Sequence, residues 1–434
     1  MNYQFPIYII QGAQYGSEGK GQIAALYATK KSAVAAVRTG SINAGHTVFY
    51  KGVAYKMQQL PTAWVNDDPD CYLVLGPGAY VHPATLAREA LMVSEALGRD
   101  ITKQLVIDRR CALHSEDAEA AGHKSGRHEA MGATGKGSSN AVIERMLARG
   151  DPFTSPTMLF SHRPYAGGMD FSHCIANAVR FLHGSLTRGP IVLEGTQGAM
   201  LDFITGPYPY VTNRAVSSAA WLAYAGLSPM LDVRTILVAR TFPIRVAGNS
   251  GPMPGEIGWT TMYRMLRALA AHDGGAHIPQ ISDMTLTAYE HHLADIIEAG
   301  GGPVKLPHYR WSEEDRIRHR QLLSDAPTAA LRALPEEQQR ELLQFFEQTT
   351  VTNKLRRISA FDEETVKEAI MMNGCHEMWL TFLNYRYPSL WASTSRADVG
   401  TVAGQWLQGL ENDFGVPVVG VTTERYEENH LWVK

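Results

Sequence analysis

The stretch GAQYGSEGKGQ, residues 12–22, sets four glycines and one lysine directly after the apolar run IYII. A glycine-rich turn between a strand and a helix binds phosphate, because its amides converge on the anion and the helix begins at its positive dipole end. Lys20 adds a point charge. The stretch is not a standard Walker A loop, because Gln14 takes the place of the first glycine and Gly21 that of Ser or Thr. A purely structural turn is the alternative interpretation.

Five further polar loops contain side chains suited to an anionic substrate: 38–48, 131–140, 192–212, 245–256 and 349–362. His46 in the first loop can donate to an oxyanion or a leaving phosphate, although an ordinary loop histidine is an equal alternative. Gln197 offers an amide that can read the edge of a heterocycle. The last loop concentrates groups that suit a dicarboxylate or a phosphate: Thr350, Thr352, Lys354, Arg356 and Arg357.

The composition indicates a cytoplasmic enzyme. Of 434 residues, 45% are hydrophobic and 19% charged, with a net charge of −3, which disfavours nucleic acid as a partner. The four cysteines are isolated, so neither a zinc site nor a disulfide framework is expected. The first residues lack the pattern of a signal peptide, and no run approaches the length of a membrane span.

Short apolar runs alternate with helix-like segments and often end in Gly, Asp or Thr before a loop: 7–10, 33–38, 71–76, 104–108, 190–195, 235–241, 377–383 and 416–423. Buried strands that lead into ligand-binding loops have this pattern, which predicts an α/β fold with a large, mostly parallel central sheet flanked by helices. Residues 84–97 and 329–348 are predicted helices. We expect a single domain over 1–434, with a surface insertion around 298–345.

Taken together, the loops resemble the adenylosuccinate synthetase family over nearly the whole chain. The family's GDEGKGK is similar to GSEGKGQ here, its GTTGRG to GATGKG, its EGAQG to EGTQG and its GPFPTE to GPMPGE, while NAGHT (43–47) and YPYVT (208–212) are intact. The resemblance implies a ligase that uses a nucleoside triphosphate and Mg²⁺. Such an enzyme phosphorylates the carbonyl oxygen of a 6-oxopurine nucleotide, and the amine of aspartate then displaces the phosphate.

The matched motifs imply a role for each residue. The triphosphate donor would contact Gly16, Glu18, Gly19, Lys20, Gly21, Thr47, Arg356, Phe382, Asn384 and Thr422. The purine monophosphate and aspartate would contact Ser17, Asn43, Thr134, Gln197, Thr212, Val246, Thr352 and Lys354. Ser17, His46 and Gln197 would take part in the chemistry, and Ser17 and Gly45 would contact Mg²⁺. The family's phosphate site also receives an arginine from the partner subunit, which implies a homodimer; Arg149 is the candidate here, and Arg145 the alternative.

Ser17 departs from the family, whose aspartate at this position takes the N1 proton of hypoxanthine and contacts Mg²⁺. A serine hydroxyl is not a comparable base near neutral pH. A shorter side chain does leave room for the 2-amino group of guanine. This pattern is similar to the phage-type branch of the family, which makes succino-2-amino-2′-deoxyadenylate from dGMP and aspartate for diaminopurine DNA. In that case the protein would act in the host cytoplasm.

The family's guanine-reading TKLD is TFLN here, with Phe382 and Asn384, and Glu424 replaces a glycine that lies against the base. Loss of the carboxylate removes a charge-assisted pair of hydrogen bonds worth about 2–4 kcal/mol. These changes predict ATP or dATP as the donor. Lys354 in place of an arginine near the ribose fits a deoxyribose or is a neutral replacement. The alternatives are an ordinary adenylosuccinate synthetase acting on IMP with GTP, and a non-catalytic nucleotide-binding relative.

Overall fold

The structure is a computed structural model that describes residues 4–126, 134–148, 159–162, 164–246, 250–257, 356–424 and 430–434, with isolated residues of 261–268. Its strands, in chain order, are β1 (Ile7–Gly12), β2 (Ala35–Arg38), β3 (His46–Tyr50), β4 (Val53–Met57), β5 (Tyr72–Leu75), β6 (Tyr80–Val81), β7 (Leu105–Asp108), β8 (Ala112–Leu113), β9 (Tyr165–Ala166), β10 (Met169–Asp170), β11 (Ile175–Ala176), β12 (Ile191–Gly198), β13 (Val233–Arg240), β14 (Ile244–Arg245), β15 (Glu256–Ile257), β16 (Arg357–Ser359), β17 (Glu377–Thr381), β18 (Val418–Thr422) and β19 (His430–Trp432).

A ten-stranded sheet, in the order β11-β7-β5-β2-β12-β1-β13-β17-β18-β19, forms the centre of the molecule. Every neighbouring pair is parallel except β18 and β19, which are antiparallel. The eight apolar runs predicted as strands are the eight consecutive strands from β7 to β18. The predicted α/β fold with a mostly parallel sheet is therefore confirmed.

Helices cover both faces of this sheet, as alternate residues of its strands show. In β1, Ile10 packs in one cluster with Ile23 of the first helix, whereas Ile7 and Ile9 pack in another with Trp221. The helices are α1 (Lys20–Lys30), α2 (Pro83–Leu97), α3 (Glu116–Lys124), α4 (Ser138–Ala148), α5 (Ala178–Ser185), α6 (Ser218–Ala225), α7 (Glu363–Asn373) and α8 (Arg396–Phe414). Both faces are apolar because a parallel sheet is buried on both sides.

The predicted helix at 84–97 is confirmed as α2, which begins at Pro83. The residue before it, His82, caps the helix, because its side chain accepts a hydrogen bond from the Thr85 amide. The predicted helix at 329–348 and the predicted insertion around 298–345 lie outside the described residues. The single-domain assignment therefore stays a prediction. In the part of the chain that the structure describes, no helix is long and apolar enough to cross a membrane.

The topology places the loops that follow β1, β2 and β12 along one edge of the sheet. The chain runs from β1 outward to β2 on one side, whereas β13, β17 and β18 extend the sheet on the other side of β1. The carboxyl ends of β2, β12, β1, β13, β17 and β18 therefore stand side by side. Parallel sheets bind ligands outside this edge, where the strand order reverses.

Candidate functional site

The phosphate loop between β1 and α1 already surrounds an anionic oxygen. The Glu18 carboxylate accepts hydrogen bonds from the main-chain amides of Gln14 (3.1 Å) and Gly16 (2.7 Å). Its other oxygen pairs with Lys20 Nζ at 2.6 Å. The turn ends at Gly19, whose φ of 85° is left-handed, and α1 follows at once. Because these amides and this amine are the groups that bind phosphate in such loops, the geometry suits a triphosphate.

This arrangement also fixes what Glu18 can do. Its carboxylate is 1% exposed and receives donors from the loop and from Lys20. A Cβ atom at Gly12 would lie 2.4 Å from Glu18 Oε2, so only glycine fits beneath it. In this arrangement the Glu18 carboxylate is bound by the same groups that would bind phosphate.

Gly21 stands where a standard phosphate loop has Ser or Thr, and the structure gives the reason. A Cβ atom at Gly21 would lie 2.7 Å from the Cβ of His46. Thr62 reinforces this contact, because its hydroxyl lies 2.7 Å from the Gly21 carbonyl oxygen. The missing side chain lets His46, at the start of β3, pack directly against the first turn of α1.

His46 is held by Glu194 of β12. Its Nδ1 lies 2.5 Å from Glu194 Oε1, and the Arg38 guanidinium lies 2.7 Å from the same oxygen. The Thr62 amide donates to the other oxygen at 2.7 Å. With Nδ1–H donating to the carboxylate, Nε2 is the nitrogen left for a ligand.

Burial and the neighbouring Arg38 guanidinium keep the His46 imidazole neutral. Burial, and then the Arg38 guanidinium, lower the pKa of His46 to about 4, although Glu194 acts in the opposite direction. Burial alone would raise the pKa of Glu194, but Arg38 and the bond from His46 bring it below its ordinary value. Arg38 thus neutralises the carboxylate that would otherwise charge the imidazole.

Glu194 and Arg38 were not among the predicted site residues. Glu194 belongs to the quoted EGTQG motif, in which only Gln197 was singled out. The available signal was a glutamate inside an apolar strand run, since a buried carboxylate requires a partner. The partner could not be inferred, because Arg38 lies 156 residues away on the neighbouring strand β2.

The EGTQG turn, with Gln197, lies against the phosphate loop at Gly16, the residue before Ser17. Gln197 has a left-handed φ of 55°, and its Cα would lie 3.6 Å from a Cβ atom at Gly16. The Ser17 hydroxyl accepts a short hydrogen bond from Arg356. The structure therefore places a guanidinium beside Ser17 and the EGTQG turn beside the phosphate loop.

The predicted metal ligands are oxygen atoms of the kind that Mg²⁺ takes, but they carry no charge. Ser17 offers a hydroxyl and Gly45 a carbonyl, whereas Mg²⁺ is usually held by carboxylates together with substrate phosphates. No group of three or more His, Cys, Asp or Glu side chains able to hold a metal is found among the described residues. These two residues would fit Mg²⁺ only with phosphate oxygens of a bound nucleotide as the main ligands.

The residues assigned to the donor base lie where β17 and β18 end, beside the phosphate loop. Phe382 has a φ of 58°; its amide donates to Thr422 Oγ1 at 2.9 Å, and its carbonyl accepts from Thr241 Oγ1 at 2.6 Å. Asn384 is 1% exposed, and its Oδ1 has no hydrogen-bond partner within the described part of the chain. Thr381 connects these residues to the phosphate loop through a 2.8 Å bond to the Glu18 carbonyl. A buried amide oxygen without a partner is a group that a ligand can satisfy.

The residues assigned to the purine monophosphate are placed on neighbouring loops. Thr212 is tied by its amide to the Leu201 carbonyl at 2.8 Å, and the Val246 carbonyl accepts from Ser250 at 2.6 Å. Thr134, Asn43, Gly45 and Thr47 are all partly exposed.

The loop of Thr134 is joined to the NAGHT loop by a buried chain of polar groups. Ser138 Oγ lies 3.1 Å from Ser41 Oγ, which lies 2.9 Å from His114 Nδ1. His114 Nε2 in turn lies 2.8 Å from the Lys136 carbonyl, to which it donates. The two loops are therefore held in a fixed relation.

Three assigned residues lie outside the described residues: Arg149, Thr352 and Lys354. The alternative to Arg149, Arg145, has its guanidinium carbon 5.8 Å from the Tyr80 ring centroid in its own chain. The choice between the two arginines therefore stays a prediction.

The arrangement matches a known family. The sequence profile described as adenylosuccinate synthetase matches residues 9–155 and 162–386. The chain belongs to the adenylosuccinate synthetase family. It is therefore a synthetase-like ligase that forms a carbon–nitrogen bond.

Curated members of this family resemble the chain over most of its length. The adenylosuccinate synthetase of Thermococcus onnurineus is 31% identical over 258 residues, which cover 58% of this chain and 70% of that protein. The adenylosuccinate synthetase of Methanocaldococcus jannaschii is 25% identical over 420 residues, covering 96% of this chain and 93% of that protein.

Two solved structures share the fold. One is the Cyanophage S-2L succinoaminodeoxyadenylate synthetase bound to dGMP and dATP as an energy donor, with a TM-score of 0.64, 23% identity and coverage of 99% of this chain and 95% of that chain. The other is a fully ligated adenylosuccinate synthetase from Plasmodium falciparum, with a TM-score of 0.67, 16% identity and coverage of 98% and 99%.

Proposed function

We propose that this synthetase-like ligase joins L-aspartate to C6 of dGMP at the expense of ATP or dATP. The products are succino-2-amino-2′-deoxyadenylate, the nucleoside diphosphate and inorganic phosphate. The observation that carries the proposal is Ser17, a short neutral side chain bound by Arg356 where the family has a carboxylate. A carboxylate there would crowd the 2-amino group of guanine, whereas a hydroxyl leaves room and can hydrogen-bond to it.

The donor base is proposed from Asn384. The Watson–Crick edge of guanine presents two N–H donors, which a carboxylate accepts, whereas that of adenine presents the N1 acceptor beside a 6-amino donor. An asparagine matches adenine because its amide has one donor and one acceptor, as in the pairing of Asn with adenine in DNA. The buried Oδ1 of Asn384, which has no partner in the described chain, would accept from the 6-amino group. The cyanophage enzyme, whose structure contains dATP as an energy donor, supports this assignment.

His46 would act in phosphoryl transfer. Its pKa is held low by burial and by Arg38. Binding of two anionic phosphates raises the pKa of a nearby histidine, so Nε2 would gain a proton and donate it to an oxygen of the transferring phosphoryl group. Glu194 would hold the other nitrogen and stabilise the imidazolium.

Members of this family use Mg²⁺, which we propose for this chain too. Ser17 Oγ and the Gly45 carbonyl would contact it together with phosphate oxygens. When bound, the ion would neutralise charge on the triphosphate. The remaining step, loss of the N1 proton of dGMP, is assigned to solvent or to Glu18, which a triphosphate would displace from Lys20 and the loop amides.

We also propose a two-fold homodimer, in which Arg149 reaches the partner's phosphate site. Helix α4, which precedes Arg149, exposes Ile143 by 47%, Met146 by 66% and Leu147 by 74%. These positions share one face of the helix. Sedimentation should therefore give a dimer, and Met146→Glu should dissociate it and raise the KM for the purine monophosphate, whereas Met230→Glu, at a residue 91% exposed, should leave both unchanged.

The second candidate function is an ordinary adenylosuccinate synthetase, which the 31% identity to the Thermococcus enzyme favours. One assay separates the two: purified protein is incubated with Mg²⁺ and aspartate and each pairing of IMP or dGMP with GTP or ATP, while phosphate release is measured. The proposal requires aspartate-dependent turnover of dGMP with ATP, and kcat/KM for ATP should exceed that for GTP roughly tenfold. Preference for IMP with GTP would establish the second candidate, and phosphate release in no pairing would indicate a non-catalytic relative.

A further inference from the structure

We infer that Arg240 is a positioning residue for the base of the phosphoryl donor, which it sets by holding the Phe382 ring from one side. The inference rests on the proposed function, because it takes Phe382 as the platform for that base. Arg240 would thus be an additional determinant of donor recognition, and it lies outside the motifs that identify the family.

The guanidinium of Arg240 lies directly over the Phe382 ring. Its carbon is 3.8 Å from the ring centroid, and 5.3 Å from the ring centroid of Tyr385. Arg240 is only 1% exposed, whereas Phe382 is partly exposed. One face of the Phe382 ring is thus covered by a buried cation. In this inference a flat base stacks on the face of the ring opposite Arg240.

The main chain on both sides of this contact is fixed. Phe382 is held in its left-handed conformation by Thr422 and Thr241. Arg240 is held by the side chain of Gln14, which donates to its carbonyl at 3.1 Å and accepts from its amide at 2.8 Å. The stack therefore has little freedom to adjust, and its geometry decides where a base can lie.

Gln14 also belongs to the phosphate loop, so the base platform and the loop form one unit. The main-chain amide of Gln14 donates to the Glu18 carboxylate. The hydroxyl of Thr381, directly before Phe382, donates to the main-chain carbonyl of Glu18. Two separate connections thus set the spacing between the site for the base and the site for the phosphates. This spacing distinguishes a nucleoside triphosphate from a bare polyphosphate.

The chemistry favours an arginine at this position. A planar guanidinium stacks on an aromatic ring, and the resulting cation–π attraction is strongest when the pair is buried. A lysine would keep the charge but not the flat contact, and a methionine would keep the volume but neither property. The ligand class is the purine base of a nucleoside triphosphate, stacked on the opposite face of Phe382.

The test compares two probes on the full-length protein by titration calorimetry: ATP, and inorganic tripolyphosphate, which has the phosphates without the base. We expect Arg240→Met to weaken ATP binding about tenfold and to leave tripolyphosphate binding unchanged. Arg240→Lys should give a smaller loss. In kinetics, the KM for ATP should rise, while the KM values for dGMP and aspartate and kcat stay the same.

The partner variant Phe382→Leu keeps the test decisive if Arg240→Met does not fold. It should weaken ATP binding without affecting tripolyphosphate, and combining it with Arg240→Lys should add little further loss, because both act on one stack. Equal weakening of ATP and tripolyphosphate, additive losses, or no loss at all would overturn the inference. If the wild type instead prefers GTP, the proposed donor is wrong, but a base-dependent loss measured with GTP would still support the positioning role.

Discussion

The proposed substrate recognition depends on single side chains. The phosphate loop, the NAGHT loop and the EGTQG turn meet around His46, Lys20 and Gln197, and these residues suit the phosphoryl chemistry of the family. The proposal assigns specificity to the two positions at which the chain departs from the family motifs, Ser17 and Asn384. Both replace a carboxylate by a neutral group, so each changes which hydrogen-bond pattern of a base the site accepts.

The variant Asn384→Asp tests the proposal that Asn384 recognises the base of the donor. The aspartate would present two acceptors to a base edge, which matches guanine and repels the N1 lone pair of adenine. We expect the ratio of kcat/KM for ATP to that for GTP to fall by about tenfold or more. The KM for dGMP serves as the control, because Asn384 is not among the residues assigned to the purine monophosphate. An unchanged ratio would mean that the Asn384 amide does not contact the base.

At the scale of elements, the site depends on a close approach between β3 and the first turn of α1. Gly21→Ala places a Cβ atom 2.7 Å from the His46 Cβ, which requires His46 to move. Because a displacement of this size misaligns a catalytic group, kcat should fall by about tenfold to a hundredfold, with little change in the KM for ATP. Gly404→Ala in α8 is the matched control, since a Cβ atom there meets nothing within 4 Å. If both variants retain wild-type kcat, the contact between Gly21 and His46 has no part in catalysis.

The sequence predicted the strands of the central sheet well, but it did not predict which buried polar and charged residues contact each other. The apolar runs that became β7, β5, β2, β12, β1, β13, β17 and β18 were recognisable because strands buried on both faces are continuously apolar. The order of these strands in the sheet could not be recognised from the sequence. That order brings Arg38 to Glu194 and Gln14 to Arg240. These contacts cross 156 and 226 residues, so local patterns contain no sign of them.

For the whole molecule, buried neutral histidines predict a loss of stability in acid. Burial lowers the pKa of both His46 and His114 to about 4, below the value of about 6.5 in an unfolded chain. Between these values the unfolded state binds more protons, so stability is full above pH 6.5 and is lost as the pH falls toward 4. Each histidine contributes at most about 3 kcal/mol to this loss.

His114→Gln isolates one of these two groups without touching the reacting centre. Its Tm, relative to that of the wild type, should rise as the pH is lowered from 7.5 to 4.5, because the variant has one fewer buried group to protonate. Differential scanning calorimetry at several pH values measures this difference. A Tm difference that stays constant over this range would show that His114 does not titrate in folding.

The central claim is that Ser17 admits the 2-amino group of guanine, and Ser17→Asp tests it most directly. The variant restores the family's carboxylate beside Arg356 and leaves Lys20 and His46 untouched. The measurement is the ratio of kcat/KM for dGMP to kcat/KM for IMP, with ATP as donor, in wild type and variant. We predict that the ratio falls by about tenfold or more, because the carboxylate crowds the 2-amino group of dGMP and regains the N1 proton of IMP to abstract. A ratio that is unchanged, or that moves toward dGMP, would contradict the account.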